Sequence, residues 1–303
     1  MVSTFEIVDA VGGDHSSTLY NARESGTGAP VTLRVFEVPR SRSEATIKRL
    51  RTLFQAVRYL DHAAVLRVRA IEVGDFGVCV VTDRREGETL ASQLPSMRNV
   101  SVTGVCTIFQ RVLAALVQAH HIGIIHHELK PANILLAPSG AQVMNFGLEK
   151  ITEDSSNTMV LGSERDLIYK SPEHIRGSKA KGELSDLYSV GIMMYEVLAG
   201  RPAFANAKDD FLIRQRIVEG AIPPPRQANP AIPKDLARVI VRAIDRDPAK
   251  RFQSAGEMLA ALEKASPAAG GGRGLGWGRR ILVLLVALAV VAALLIAYRF
   301  FLH

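Results

Sequence analysis

The sequence predicts an α+β protein, in which a small β-rich lobe precedes a larger helical lobe, plus one C-terminal transmembrane helix. Three observations support this prediction. Short β-branched runs dominate residues 5–87, apolar residues at helical spacing dominate residues 89–265, and residues 281–297 carry no polar side chain. The chain has 303 residues, of which 48% are hydrophobic and 22% charged, so it can bury a sizeable core and wholesale disorder is excluded.

The β-rich lobe is predicted over about residues 1–87. One helix is expected inside it, at Ser43–Leu60, because apolar residues such as Phe54 and Val57 recur there at helical spacing. The predicted strands are FEIVDAV at 5–11, PVTLRVFEV at 30–38, VLRVRAIEV at 65–73 and FGVCVVTD at 76–83.

The helical lobe is predicted over about residues 88–265, and a cleft is expected between the two lobes. Its predicted helices are Val102–His120, Leu184–Ala199, Asp209–Glu219, Lys234–Asp245 and Ser254–Lys264. The two cysteines, Cys79 and Cys106, lie in apolar runs, which predicts buried thiols in a reducing compartment and excludes a disulfide scaffold.

The C-terminal tail is predicted to anchor the protein in a membrane. A helix over residues 281–302 would span roughly 25–32 Å, which is close to the thickness of a hydrocarbon core. Residues 266–280 form a Gly-rich, basic linker, and Arg279 and Arg280 favour a cytoplasmic position for the domain that precedes the span. A buried core helix is the alternative interpretation of this apolar run.

The excess positive charge belongs to this tail. The formal net charge is +7, but the four arginines that follow Glu263, without any acidic residue, account for most of it. The rest of the chain has 33 basic and 30 acidic residues, which is not the charge pattern of a nucleic-acid-binding surface.

Five motifs follow one another along the soluble part of the chain. They are HHELKPANILL at 126–136, NFG at 145–147, SPE at 171–173, SDLYSVG at 185–191 and DPAKRF at 247–252. In this order and at these separations they resemble the motifs of eukaryotic-like (Hanks-type) Ser/Thr protein kinases, most closely those of the bacterial branch. The resemblance covers about residues 5–265. It implies a bilobal kinase-like fold, a nucleotide cleft for ATP with Mg²⁺, and protein substrates or partners.

In the catalytic loop, the resemblance places Glu128 where the family has its base Asp, whereas Lys130 and Asn133 match the family. Glutamate adds a methylene and displaces the carboxylate by about 1.5 Å, and misplacement of this order can cost about a hundredfold in rate. Asn145 stands in place of the metal-binding Asp, and a neutral amide is a poor ligand for a hard divalent cation. The resemblance therefore implies a cleft that has lost the anionic groups which hold two Mg²⁺ ions.

The nucleotide-binding positions also depart from the family pattern. Gly12 is the one residue between Val11 and Tyr20 that matches a motif glycine, and a plain β-hairpin is the alternative for this segment. Arg34 replaces the strand lysine, and Leu53 stands where its glutamate partner is expected. If ATP binds, the resemblance implies that Thr82 and the connecting residues from Asp83 to Arg85 contact adenine.

The residues that hold the family's architecture are retained. The resemblance assigns His126 and Phe146 to packing between the lobes, Asp186 to anchoring the catalytic loop, and Glu173 and Arg251 to a buried ion pair. Asp166 falls at the position of the substrate-positioning Thr, and residues 153–166 contain hydroxyl groups that another kinase could phosphorylate. The histidines at 120–127 are interpreted as packing or exposed residues, and no metal site is predicted.

This contrast favours a membrane-anchored pseudokinase, which acts as a signalling scaffold or regulator and recruits an active kinase or membrane machinery. No cofactor is firmly implied: ATP binding stays open and Mg²⁺ binding is not expected. One alternative is an ATP-binding Ser/Thr protein kinase with low phosphoryl-transfer activity through Glu128. Another is a domain that binds ATP without transfer and is switched by it.

Overall fold

The computed structural model describes residues 5–14, 17–36, 48, 52, 54–74, 77–97, 100–147, 164–178, 182–205, 207 and 209–267. Within this part of the chain, the α+β class with a β-rich lobe followed by a helical lobe is confirmed. The predicted membrane helix at 281–302, nearly all of the 266–280 linker, residues 148–163 and Leu53 lie outside the described residues.

The β-rich lobe is a five-stranded antiparallel sheet with the strand order β1-β2-β3-β5-β4. Its strands are β1 (Phe5–Asp14), β2 (Ser17–Glu24), β3 (Pro30–Phe36), β4 (Val68–Gly74) and β5 (Gly77–Asp83). The sequence patterns predict four of these strands and miss β2. Because β2 contains many polar residues, it lacks the clear alternation of apolar and polar residues from which a strand is predicted.

Both faces of this sheet carry buried side chains, because neighbouring residues of a strand point to opposite faces. Leu33, Cys79 and Val81 pack on one side, while Phe36, Val78 and Val80 pack on the other beneath Phe54 of the helical segment at 54–58. Burial raises the pKa of the Cys79 thiol to about 12, and nearby Glu72 acts in the same direction. Cys79 and Cys106 are therefore inert core residues, as their apolar neighbours predict.

A second, three-stranded sheet lies at the start of the helical lobe, with the order β6-β7-β8. It consists of β6 (Glu88–Thr89), β7 (Ile134–Ala137) and β8 (Gly140–Val143). The helices α1 (Leu90–Gln93) and α2 (Val102–His121) lie between β6 and β7. Ser101 caps α2 by accepting a hydrogen bond from the N–H of Gly104. A 3₁₀ turn, Pro131–Asn133, leads directly into β7.

The other helices of the described residues follow in chain order. They are α3 (Glu164–Leu167), α4 (Pro172–Ile175), α5 (Glu183–Ala199), α6 (Asp210–Glu219), α7 (Pro225–Ala228), α8 (Lys234–Ala243) and α9 (Ala255–Ala265). In α5, every residue from 185 to 198 is buried, so this helix is the centre of the lobe. A Cβ atom at Gly191 would come within 2.7 Å of Ala243 and Ile244, which shows how closely α5 and α8 approach.

Backbone hydrogen bonds join the two lobes beside the cleft. Val143 of β8 donates its N–H to Ala64 O and accepts the N–H of Leu66, at 2.8 and 3.0 Å. Arg111 of α2 donates to Ala63 O and Ala141 O, which extends the same connection. The segment that follows the helix of the β-rich lobe is thereby fixed to the helical lobe.

Among the described residues, α2 is the one helix long and apolar enough to cross a membrane, with a mean hydropathy of 1.5. Eight of its side chains are buried, and it packs against α5, α9 and β8. We therefore treat α2 as a core helix of the lobe.

Candidate functional site

Asp186, at the start of α5, holds the loop that carries the candidate catalytic residues. Its carboxylate accepts the backbone N–H groups of His126 and His127, each at 2.9 Å, and lies 3.0 Å from Nε2 of His120. Burial alone would raise the pKa of Asp186, but its hydrogen bonds and the nearby histidines outweigh burial and lower it. His127 has a φ of 64°, a left-handed conformation that these paired bonds impose.

His126 is fully buried and connects the loop that carries the candidate catalytic residues to the segment directly after β8. Its Nε2 lies 2.8 Å from Met144 O, and its Nδ1 accepts the N–H of Glu128 at 3.2 Å, so the ring is the neutral Nε2–H tautomer. Burial lowers the pKa of His126, despite the opposing effect of Asp186. The ring packs against Phe146 with a centroid separation of 4.9 Å. His120 and His126 are thus engaged in fixing the fold.

Glu128 shares a cation with Asp166. Lys130 Nζ donates to Glu128 Oε1 at 3.2 Å and to Asp166 Oδ2 at 3.0 Å. Burial alone would lower the pKa of Lys130, but the two carboxylates outweigh it and raise the pKa, so the ammonium group stays charged. Lys130 is therefore held between the two carboxylates.

Asn133 and Asn145 are bonded directly to each other. Asn133 Nδ2 donates to Glu128 O at 2.7 Å, which turns Asn133 Oδ1 towards Asn145. Asn145 Nδ2 then donates to that oxygen at 2.8 Å, and the left-handed backbone of Asn145, with a φ of 67°, holds the amide there. Because donor hydrogens repel a cation, these two amides do not fit a Mg²⁺ ion between them.

Asn133 and Asn145 thus form an internal hydrogen bond at the position for which the sequence resemblance implies a metal-binding carboxylate. Among the described residues, no group of three or more His, Cys, Asp or Glu side chains is arranged to hold a metal ion.

The segment around Gly12 is a tight β-hairpin. β1 and β2 pair up to Asp14 and Ser17, which leaves two residues between the strands. Gly12 has a φ of 134°, and a Cβ atom at Gly13 would lie 2.4 Å from Ser17 O. The lack of a Cβ atom at Gly13 therefore permits the close approach of the two strands, while the role of Gly12 at a nucleotide stays a prediction.

The side chain of Arg34, in β3, contacts this hairpin. Its Nε donates to Ser17 Oγ at 2.8 Å, and its guanidinium lies 5.0 Å from the Phe36 ring centroid. Leu53, which stands where the family has an acidic partner for this position, lies outside the described residues. The contacts of Arg34 with Ser17 and Phe36 hold the guanidinium against the β-rich lobe.

The segment that connects the lobes uses its backbone groups internally. Asp83 donates its N–H to Arg67 O at 3.0 Å, and Thr82 Oγ1 donates to Asp83 O at 2.9 Å. The N–H of Arg85 donates to Thr32 Oγ1 at 3.1 Å. The sequence predicts that backbone groups of this segment contact adenine if ATP binds. Thr32 was not among the predicted site residues.

Arg85 also brings a second positive charge to the cleft. Burial lowers the pKa of its guanidinium, and the positive charge of Arg34 lowers it further. A small cavity of about 10 Å³ lies behind Thr82 and ends at Asn145 and Phe146. This volume is of the order of a single water molecule.

Glu173 and Arg251, which are distant in sequence, form a bidentate buried ion pair. Arg251 Nη1 and Nη2 donate to the two carboxylate oxygens at 2.8 and 2.9 Å, and Ser185 Oγ adds a third bond at 2.7 Å. Burial alone would raise the pKa of Glu173, but these bonds lower it to about 2. The pair ties α4 to the end of the helical lobe.

A family comparison covers almost the whole described chain. The profile described as "Protein kinase domain" matches residues 5–261. Curated bacterial proteins are similar over the same region, and the chain spans about two fifths of their length.

Three of these relatives illustrate the similarity. A probable serine/threonine-protein kinase of Clostridium perfringens is 30% identical, over 86% of this chain and 38% of its own length. Serine/threonine-protein kinase PknB of Mycobacterium tuberculosis is 29% identical, over 85% of this chain and 42% of its own. Serine/threonine-protein kinase PrkC of Bacillus subtilis is 26% identical, over 86% and 40%.

Among solved structures, a cysteine-to-alanine mutant of the PknI kinase domain of Mycobacterium tuberculosis superposes with a TM-score of 0.68 at 20% identity. The match covers 87% of this chain and 96% of that one. At this identity the likeness concerns the fold, which is the same two-lobed arrangement.

Proposed function

Since this chain belongs to the protein kinase domain family, in the bacterial Hanks-type Ser/Thr branch, we propose that it is a regulatory pseudokinase without metal-dependent phosphoryl transfer. In this family the transfer step depends on positioning and on neutralising the phosphate charge with Mg²⁺. A member that keeps the fold but cannot hold the metal would act through binding.

One observation carries this proposal, the hydrogen bond from Asn145 Nδ2 to Asn133 Oδ1 at 2.8 Å. It satisfies the oxygen that would face the cation, and it turns donor hydrogens towards the place of the metal. Metal ions contribute several kcal/mol to transition-state stabilisation, so their loss alone would lower the rate by orders of magnitude.

A second observation supports the same proposal. Lys130 is bound by both Glu128 and Asp166, so the carboxylate in the base position is engaged in an ion pair. Glu128 would have to give up its contact with Lys130 before Oε1 could accept a substrate proton, and general-base help is worth roughly 10²–10⁴ in rate.

The alternative function is a Ser/Thr protein kinase with low activity. It is favoured by the names of the relatives and by the 3.2 Å contact of Lys130 with Glu128, which keeps a carboxylate and a cation side by side in the cleft. In a third version, ATP binds without transfer and changes the affinity of the domain for a partner.

The tail adds a location to this proposal. The apolar run at 281–302 would hold the domain at a membrane through the Gly-rich linker at 266–280, with the domain on the cytoplasmic side. An active kinase or membrane machinery would then be its partner. Removal of residues 266–303 should move the protein from the membrane fraction to the soluble fraction. Recovery of the intact chain in the soluble fraction would contradict the anchor.

Phosphotransfer assays and thermal-shift measurements on the full-length protein in detergent separate the three functions. We expect no transfer of radiolabel from ATP to a protein substrate, and no rise in melting temperature that depends on Mg²⁺. A rise that is independent of Mg²⁺ supports the ATP switch. Mg²⁺-dependent transfer that Glu128→Ala abolishes establishes the enzyme and refutes the pseudokinase.

A further inference from the structure

Thr32 lies on the cleft face of β3 and is almost completely buried. It is two residues before Arg34, so both side chains project from the same face of the strand. Only 2% of Thr32 is exposed. The chain itself therefore covers this part of the cleft.

What covers Thr32 is the segment that connects the lobes. Thr32 Oγ1 accepts the N–H of Arg85 at 3.1 Å, a contact between residues 53 positions apart. The carbonyl of Thr32 lies 3.4 Å from Thr82 Oγ1, which also donates to Asp83 O at 2.9 Å. The N–H of Asp83 is used by Arg67 O.

A planar base binds a backbone edge by exchanging hydrogen bonds with exposed N–H and C=O groups. Here the N–H groups of Asp83 and Arg85 each already have an acceptor within the protein. A base would have to break the bond from Arg85 to Thr32 in order to make one of its own. Replacing one hydrogen bond of the Arg85 N–H by another would contribute little to the binding free energy. It would also leave the buried hydroxyl of Thr32 without its donor.

We propose that the hydrogen bond between Thr32 Oγ1 and the N–H of Arg85 closes the base-binding edge of the cleft, which makes Thr32 a specificity-determining residue that excludes a purine. The inference rests on the proposed function only in taking this cleft as the place where a nucleotide would bind. It is independent of the metal, because the bond between Thr32 and Arg85 involves neither Asn133 nor Asn145.

The test uses adenosine, which has a base but neither phosphate nor bound metal, and full-length protein in EDTA. Thr32→Ala removes both the hydroxyl and its bulk, and Thr32→Ser is the matched control that keeps the acceptor. We expect saturating adenosine to raise the melting temperature of Thr32→Ala by about 2–4 °C. The wild type and Thr32→Ser should show no shift.

A second measurement follows the Arg85 amide itself. Its hydrogen exchange should be at least about tenfold faster in Thr32→Val, which keeps the branched shape but has no acceptor, than in Thr32→Ser. This comparison needs no ligand and stands even if Thr32→Ala does not fold.

Four results would overturn the inference. They are an adenosine shift in the wild type, equal shifts in Thr32→Ser and Thr32→Ala, equal exchange of the Arg85 amide in Thr32→Val and Thr32→Ser, and a folded Thr32→Ala variant that does not respond to adenosine. None of these results depends on Mg²⁺, so they are distinct from a failure of the metal argument.

Discussion

Asn145 Nδ2 donates a hydrogen bond to Asn133 Oδ1 across 2.8 Å, and Asn133 is held in the required orientation by its own bond to Glu128 O at 2.7 Å. Two positions that would share a cation in an active family member are thus joined without one. The loop around them keeps its anchors, since Asp186 and His126 still bind its backbone. The two amides are therefore bonded to each other, while the residues that anchor the loop keep their contacts.

The first prediction concerns the anchor of the loop. Asp186→Asn presents one acceptor where the native carboxylate accepts two N–H groups, and its amide hydrogens face a donor. We expect the free energy of unfolding to fall by about 3 kcal/mol, measured by urea denaturation. The exposed Asp235→Asn serves as a control and should change stability by less than about 0.5 kcal/mol. Similar losses for both variants would contradict the anchoring role.

The buried ion pair provides a second prediction. Arg251→Met leaves Glu173 buried without its cation, so the free energy of unfolding should fall by about 3–5 kcal/mol in urea denaturation. The double variant Arg251→Met/Glu173→Gln buries no unpaired charge and should recover a large part of that loss. If the single variant lost under about 1 kcal/mol, the pair would not support the lobe as argued.

Acid sensitivity provides a third prediction. The pKa of Glu173 is about 2 in the folded protein and 4.5 in the unfolded chain, so folding binds fewer protons there. Its contribution of about 3 kcal/mol is complete above pH 4.5 and is lost as the pH falls towards 2. Urea midpoints measured between pH 6 and pH 3 should therefore fall more steeply for the wild type than for Glu173→Gln.

His126 provides the internal reference for that titration. Its pKa is lowered by burial, so protonation favours the unfolded chain once the pH falls below about 6.5. The wild type and Glu173→Gln should share this decline near neutral pH and separate only below pH 4.5. Parallel curves down to pH 3 would refute the assignment to Glu173.

A fourth prediction tests the shared cation. Lys130→Met leaves Glu128 and Asp166 without the ammonium group that both bind. The two carboxylates are partly exposed, so we expect a loss of about 1 kcal/mol at pH 7, measured by thermal or urea unfolding. Lys130→Arg, which keeps the charge, should lose less.

Much of the fold could be predicted because long elements repeat their pattern many times. The prediction for α2 ends one residue early at His120, and that for α5 begins one residue late at Leu184. Short elements such as α4 and α7, at four residues each, offer less than two turns of periodicity and were missed. For α8, the predicted helix runs two residues too far because Ile244 already ends the helical bonding.

The site could be predicted only as a set of residues. Sequence reasoning singled out Asn133 and Asn145, but not that one amide would donate to the other, since this depends on the orientation that Glu128 O imposes. It also missed the contact of Thr32 with Arg85, because a bond between residues 53 positions apart follows from tertiary packing. A threonine two residues before Arg34, on the same strand face, was the signal available.

The melting temperature of the full-length protein with tripolyphosphate, with and without Mg²⁺, tests the central claim most directly. Tripolyphosphate supplies phosphates without a base, so the closed base edge does not interfere. In Asn145→Asp, two oxygens face each other, so this variant should be less stable without metal, and Mg²⁺ should restore several degrees. The wild type should show no response to Mg²⁺. A Mg²⁺-dependent rise in the wild type equal to that of Asn145→Asp would contradict the account.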